Sequence, residues 1–480
     1  MILDGLSPAA PFRWFEAICA IPHGSGNTAA LSDFCVRFAA ERGLEHYRDS
    51  LGNVILIAPA APGYENAAPI ILQGHLDMVC ALAPGVEKDM TAEGPELFCD
   101  GDTLGARGSS LGGDDGAAVA IILALLDDPT LPRPRLEAVL TVDEEVGMTG
   151  ARGLDVAPLR GRTMLNLDSE EEGIFTVSCA GGARATLRRC AAPEPAEGLL
   201  LTLGVEGLLG GHSGTEIDKG RANACILLGR VLDALRAVAP LHLLDVTGGT
   251  ADNAIPARCQ ARFLADPEHA MALLDEADRL CAALRMEYLH TEANLRLLLE
   301  TGGVGTAQAL SEAETGRFIA ALCALPNGVQ SMNTALGLPE TSCNLGLLSL
   351  DAHGWTATVS LRSSVPEGKP QLLAALQSVS DAAGAEIEVR GDYPGWAYRA
   401  ESPLRARMER IYEAMFGKRA VVTAIHAGLE CGILAEKLPG LDCVSIGPDI
   451  TDIHSPAERL HIASMGRTWE FVKEILKQSR

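Results

Sequence analysis

The sequence predicts an α/β layered domain interrupted by a second, α+β domain, and three features carry that expectation. Short apolar runs rich in leucine or β-branched residues recur early in the chain: NVILIA (53–58), PIILQG (69–74), LEAVLTV (136–142) and TMLNLD (163–168). They have the length and composition of buried strands. Helical patterns stand beside them. In NTAALSDFCVRFAAERG (27–43), Leu31, Phe34, Cys35 and Phe38 recur at spacings of three and four and the run closes on Gly43, while GAAVAIILALLDD (116–128) stops ahead of Pro129; both patterns fit helices. Near residue 186 the texture changes to the Pro/Ala-rich RATLRRCAAPEPAEG, and two strand-and-helix blocks follow before the turn GDYPGW at 391–396. The expected division is therefore a first domain in two parts, 1–185 and 392–480, around an insert at 186–391.

The two blocks of the insert suggest a duplication. One carries the helix RANACILLGRVLDALRA (221–237) and then GGTADNAIPARCQARF (248–263); the other carries ETSCNLGLLSLDAHGWTATVSLR (340–362) and then the helix KPQLLAALQSVSDAAG (369–384). Asn253 and Asn344 fall at comparable places in the two.

Composition excludes several classes of function. A chain of 480 residues has room for about two to four domains. Its longest uncharged apolar stretch, AAVAIILALL (117–126), is too short to span a bilayer. The N-terminus lacks a basic segment ahead of its apolar residues, so neither membrane insertion nor export is expected. The 13 cysteines contain no C-x-x-C pair, which reads as buried free thiols in a reducing cytoplasm. A net charge of −24 repels phosphate backbones and anionic lipids, so nucleic acid is not an expected partner.

Polar residues at the ends of the first domain's strands hold the chemical interest, because in open α/β sheets ligands gather beyond the strands' carboxyl ends. His75 and Asp77 end one strand; GGDDG (112–116) leads into a helix; TVDEEVG (141–147) and NLDSEEEG (166–173) end two more; DIHSPAERLH (452–461) adds a histidine in a turn. Singly, each has an ordinary reading as a surface pair, a solvated charge run or a helix cap. Together they supply two imidazoles and several carboxylates, the donor set of a two-metal hydrolytic site. Charge bookkeeping agrees, since two divalent cations balance three carboxylates and a bridging hydroxide. GARGSSLGG (105–113) offers a phosphate-loop reading, but it lacks the Gly-Lys-Ser/Thr ending and precedes paired aspartates.

The ordered set IPHGSGNTAAL, GHLDMV, GGDDG, DEEVGMTGA, NLDSEE, GGHSG, NAIPA, ETSCNLG, HAGLECG and DIHSPAERL resembles the co-catalytic zinc metallopeptidases. That family includes aminoacylases, carnosinases and tripeptide aminopeptidases, and the likeness is greatest to its bacterial aminoacyl-histidine dipeptidases. The resemblance implies a zinc-exopeptidase-like catalytic domain, a central mixed sheet flanked by helices, interrupted by an α+β lid. It implies metal ligation by His75, Asp114, Glu145, Asp168 and His454, with Asp114 bridging two divalent ions. Zinc is the implied metal, and manganese and cobalt suit the same donors. Glu144 is the implied general base. Asp77 would accept a hydrogen bond from the second ring nitrogen of His75, and the Asp114–Asp115 peptide would be cis. In the lid, His212 would reach the oxyanion, while Asn253, Asn344 and Arg362 would meet the substrate's carboxylate and backbone; His426 and Glu430 would line the substrate pocket. The implied activity is hydrolysis of dipeptides, Xaa-His and β-alanyl-histidine included, by a cytoplasmic monomer or homodimer; a lid of roughly 200 residues, about twice the family's single-lid size, implies action in cis, with action across a dimer as the alternative. Deacylation of N-acyl amino acids, or a broader dipeptidase activity, would share every metal residue. A metal-dead scaffold would lack the intact ligand set.

Overall fold

Continuous apolar runs become central strands. The structure, a computed structural model, describes residues 2–480. In it Val54–Ala58, Ile70–His75 and Leu136–Thr141 are buried along their whole length, as strands covered on both faces must be. They belong to an eight-stranded sheet in the order Glu45–Arg48, Val54–Ala58, Leu136–Thr141, Ile70–His75, Thr163–Asn166, Asp442–Ser445, Ile174–Cys179, Val421–Ile425. The sheet is mixed. Ile70–His75 runs parallel to Leu136–Thr141 and Thr163–Asn166, and Asp442–Ser445 runs parallel to Thr163–Asn166, while Val54–Ala58 is antiparallel to both its neighbours and Asp442–Ser445 is antiparallel to Ile174–Cys179.

Helix Gly113–Asp127 is apolar on every side because it is enclosed on every side. It lies between strand Ile70–His75 and helix Ala9–Cys19. Gly74 permits its close approach, for a Cβ there would sit 2.6 Å from Asp115 Oδ2 and 3.0 Å from the Ala118 methyl.

The chain divides into two units: the residues up to Ser178 with Tyr398–Ala424 and Leu429–Arg480, and Cys179–Ala397 with Ile425–Gly428. The changeovers lie outside strands Gly181–Cys190 and Glu386–Tyr393, which pair with each other.

The second unit is a duplication of a kind that successive blocks do not describe. Its main sheet contains two β-α-β-β-α-β repeats of the ferredoxin-like type. In the first repeat the strands are Glu194–Glu206, His242–Gly248, Cys259–Ala265 and Arg296–Ala309, with helices Ala224–Val238 and Ala270–Glu287. In the second they are Gly181–Cys190, Leu338–Asp351, Gly354–Ser363 and Glu386–Tyr393, with helices Glu312–Ala324 and Gly368–Ala383. Each has its strands in the spatial order 4-1-3-2, all antiparallel. The repeats join edge to edge through their second strands, with Val246 opposite Leu350. The first repeat is nested inside the second, between its first strand and its first helix. Asn253 therefore lies in the connection between strands two and three of one repeat, and Asn344 within strand two of the other, so the two asparagines are not equivalent.

One face of this sheet, with Leu203, Phe263, Leu345 and Val359, forms a single core with the helices. The other carries polar pairs such as Thr186 with Thr358 at 3.1 Å and Ser349 with Thr356 at 2.7 Å. This is the one-sided burial of an antiparallel sheet. All the cysteines are free thiols, but Cys80, Cys99, Cys190 and Cys323 are exposed rather than buried. Phe263 is fully enclosed, so Phe263→Ala is expected to lower unfolding stability by about 3–5 kcal/mol, measured by urea denaturation.

Candidate active site

The parallel strands deliver the candidate ligands to one end of the sheet. His75 is the last residue of its strand, Glu144 and Glu145 follow Leu136–Thr141, and Asp168 follows Thr163–Asn166. Asp114 stands at the start of helix Gly113–Asp127, where the backbone at Asp114 and Asp115 is not yet helical and the peptide between them is cis. His454 comes from the turn between strands Ile450–Thr451 and Arg459–His461 and takes a left-handed φ of 59°.

Asp114 is the centre of the arrangement. Its Oδ1 is 3.1 Å from His75 Nε2 and its Oδ2 is 3.2 Å from His454 Nε2. On the His75 side stands Asp168, 3.5 Å from Nε2; on the His454 side stands Glu145, 2.8 Å from Nε2. One carboxylate thus faces two imidazoles, each with a carboxylate of its own. Donor atoms of His75, Asp114 and Glu145 lie within 4.8 Å of one another, as do those of His75, Asp115 and Asp168. Of the adjacent aspartates we favour Asp114 as the shared donor, because Asp115 Oδ2 is already engaged by the backbone N–H of His75 at 3.0 Å. Nitrogen and carboxylate donors split in this way suit a pair of divalent cations.

Burial and crowding set the charges of the protein groups. Desolvation works against ionised Asp114, but His454 and His75 outweigh it and hold the carboxyl below the usual range. Asp168 is pushed up to about 6 by burial and then by the charges of Asp114 and Glu145, against the pull of His75. Burial, with the charges of Asp168, Glu430 and Glu145, raises Glu144. Asp114 and Glu145 lift His454 to about 10. Such concentrated negative charge is what a cation relieves.

Asp77 meets the His75 ring and does more besides. The Nδ1 of His75 is 2.9 Å from the backbone carbonyl of Asp77 and 3.5 Å from its carboxylate. The carboxylate also accepts the backbone N–H groups of Glu144 at 3.0 Å and Glu145 at 3.3 Å, and the Ser25 hydroxyl at 2.8 Å; against burial, His75 and these bonds hold its carboxyl below the usual range. The carbonyl orients the ring while the carboxylate fixes the loop of the two glutamates. Ser25 went unread in the sequence because a hydroxyl in a glycine-rich turn looks like turn chemistry alone.

Glu458 was missed as well, because its partners are backbone groups. It is 2% exposed, and its oxygens accept the N–H groups of Leu111, Gly112, Gly113 and Asp114 at 2.8–3.2 Å. The end of the glycine-rich loop at 105–113 therefore does hold an acidic group, and that group is this side chain.

Glu430 does not line an open pocket. It is fully buried, and its Oε2 accepts from Gln73 and Thr141, both at 2.5 Å, while Gln73 accepts from Asn166. These residues form a polar layer one row beneath the ligands.

In the other unit, His212, His426 and Arg362 converge on Gly214. A Cβ there would lie 2.5 Å from the His426 carbonyl oxygen, 2.9 Å from the His212 ring and 3.2 Å from the guanidinium carbon of Arg362. The Nδ1 of His212 faces the backbone N–H groups of Gly214 at 3.3 Å and Thr215 at 3.2 Å. It is therefore the acceptor, which assigns the ring proton to Nε2. Burial and the Arg362 charge lower the pKa of His212 and bring that of His426 down to about 4, so both rings are neutral at pH 7. His426 Nε2 bonds Ser342 at 2.7 Å. Asn253 is exposed. Asn344 is committed within its own unit: its Oδ1 accepts from Asn223 at 3.1 Å and its Nδ2 donates to Ala254 at 2.8 Å, so it braces the sheet.

A two-imidazole, shared-carboxylate cluster at the ends of parallel strands, in a chain interrupted by an α+β unit, defines the class of metal-dependent exopeptidases. This chain belongs to peptidase family M20/M25/M40, whose family model matches residues 71–478. It is 38% identical over 481 residues to the cytosol non-specific dipeptidase of Escherichia coli K12, covering 99% of both proteins. The crystal structure of the aminoacylhistidine dipeptidase from Vibrio alginolyticus matches with a TM-score of 0.95 at 37% identity, over 99% of this chain and 97% of that one. Aminopeptidase PepT from Bacillus cereus, 15% identical, shares the fold with a TM-score of 0.57 over 99% of each chain.

Replacing Glu458 by glutamine leaves backbone donors without acceptors in a buried site. The variant is expected to lose at least about 2 kcal/mol of stability, read from its urea midpoint.

Proposed function

We propose that this protein is a two-metal dipeptidase, with Xaa-His dipeptides, β-alanyl-histidine included, among its substrates. The observation that carries the reading is Asp114, whose two oxygens face the imidazoles of His75 and His454. In this reading His75 and Asp168 would hold one metal and Glu145 and His454 the other, with Asp114 offering an oxygen to each. Such a metal pair, zinc by preference with manganese and cobalt as alternatives, would supply Lewis acidity toward a water and the peptide carbonyl.

The protein's own groups do the rest. Glu144 takes the proton of the attacking water and delivers it to the leaving amine, on a backbone that the Asp77 carboxylate holds through its N–H bonds. His212 is a neutral Nε2–H donor for the carbonyl oxygen as it gains charge. Arg362 is the cation for the substrate's carboxylate; Asn253 and His426 are further contacts for its backbone. Asn344, bonded through both ends of its amide, and Glu430, buried with its Oε2 held by Gln73 and Thr141, serve the site as supports.

The dipeptide assignment is supported by the names of the Escherichia coli and Vibrio relatives, and the first, a non-specific enzyme, favours a range wider than histidine alone. A cytoplasmic location accords with that relative's name. Among the described residues no helix is long and apolar enough to cross a membrane.

A panel of Xaa-His, Xaa-Leu and N-acetyl amino acids with metal-loaded protein tests the reading; hydrolysis confined to N-acetyl substrates would make it a deacylase. Glu144→Gln should lower kcat by about 10²–10⁴-fold with both metals retained in elemental analysis. For His75→Ala and His454→Ala the expected result is metal loss, and two bound ions in either would refute the ligand assignment.

A further inference from the structure

The loop that carries His212 is closed at both ends by a single side chain. Glu292, between helix Ala270–Glu287 and strand Arg296–Ala309, is 2% exposed. Its Oε2 accepts the backbone N–H of Leu209 at 2.8 Å and its Oε1 that of Ala222 at 2.9 Å. Those two amides bracket residues 210–221. Inside the ring so formed, Glu216 accepts the N–H of His212 at 2.9 Å and pairs with Arg221 at 2.7 Å, and Arg221 also bonds the Gly210 carbonyl.

The loop needs such fastening because its sequence supplies little rigidity. Gly207, Gly210, Gly211 and Gly220 all take positive φ, and glycine loses more freedom on being fixed than any other residue. Nor can larger residues replace it freely: a Cβ on Gly211 would lie 2.1 Å from Arg221 Nη1, and one on Gly207 would lie 2.1 Å from the Asn294 carbonyl oxygen. Bonds from a buried carboxylate to backbone N–H groups are charge-assisted and directional. Downstream of them, His212 pairs with Ala254, and Ser213 bonds the Asn253 carbonyl at 2.8 Å, so one clamp serves both candidate substrate contacts.

We propose that Glu292 is a positioning residue for His212, locking the loop from Leu209 to Ala222 so that the Nε2–H of the imidazole is presented in one orientation. The inference rests on the reading of His212 as the oxyanion donor. Glu292→Gln keeps the size of the side chain but turns one acceptor toward a backbone N–H as a donor. Its kcat should fall about tenfold, the equivalent of one lost hydrogen bond to a charged group, with KM nearly unchanged and both metals retained. Amide hydrogen exchange should rise at Leu209 and Ala222 while helix Ala224–Val238 stays protected. His212→Ala should fall by about 10²–10³, and adding Glu292→Gln to it should cost nothing further. A second tenfold drop in the double variant would overturn the proposal, because the two residues would then act independently. Full kcat in His212→Ala would sink the oxyanion role and leave the clamp to the exchange experiment, where unchanged protection at Leu209 and Ala222 would sink it. Should Glu292→Gln fail to fold, Glu292→Asp keeps the charge with a shorter reach, and its exchange should rise at one end of the loop only; protection retained at both ends would overturn the clamp.

Discussion

Asp114 faces two imidazoles at once because carboxylates hold the backbone around it. Glu458 takes the N–H groups leading up to it, and Asp115 reaches back to the N–H of His75. The same device recurs wherever a loop must stay in place: Asp77 on Glu144 and Glu145, Glu137 on Arg160 and Gly161, Asp49 on Leu51, Gly52 and Asn53. Part of the acidity that marks the composition is therefore turned toward the main chain, and at Glu458 the carboxylate offers oxygens to donors that would otherwise be buried without partners. The arrangement is economical for a site made of loops. A strand end fixes a residue's position along the sheet, but a loop beyond it is fixed only by what its amides bind.

Beneath the ligands a second constraint operates. Gln73 precedes His75 by two residues on the same strand, Asn166 precedes Asp168 by two, and Thr141 sits opposite His75 in the pairing register. With Glu430 they make one connected set of hydrogen bonds across three strands. Burial raises the pKa of Glu430 to about 8, which favours its protonated form at neutral pH and limits the charge under an already acidic site. In a low-dielectric interior such a set tolerates little displacement of any member, so the three strand ends share one fixed geometry.

The sequence made the strands and the candidate ligands legible because both write themselves locally: an apolar run of strand length, then a histidine or acid where it stops. His75, Asp168 and the Glu144–Glu145 pair are all of this form. What could not be read was which atom meets which. Asp77, two residues on from His75, could be read as a partner for the imidazole, but not as the acceptor for amides 67 and 68 residues away. Glu458 and Glu292 bind backbone, which every residue has, so their partners leave no trace in composition or spacing. Asn253 and Asn344 seemed alike because each follows a similar local texture; only strand order separates a loop asparagine from one sealed in the sheet. The duplication was half visible for a related reason. A repeat nested inside another presents its parts out of register, and the first strand of the second repeat, Gly181–Cys190, stands far upstream of its companions.

That nesting also dictates an order of assembly as the chain leaves the ribosome. Gly181–Cys190 is synthesised early but must wait for Gly354–Ser363 and Glu386–Tyr393 before it has neighbours on either edge. The eight-stranded sheet waits longer still, since Asp442–Ser445 fills a place between Thr163–Asn166 and Ile174–Cys179. Only the inner repeat, from Glu194 to Ala309, is delivered as one uninterrupted stretch, with every strand and helix it needs in hand. The most deeply inserted part of the molecule is thus the first that can close on itself, and the unit that begins the chain is completed last, its early strands exposed to chaperones and to wrong partners throughout the interval.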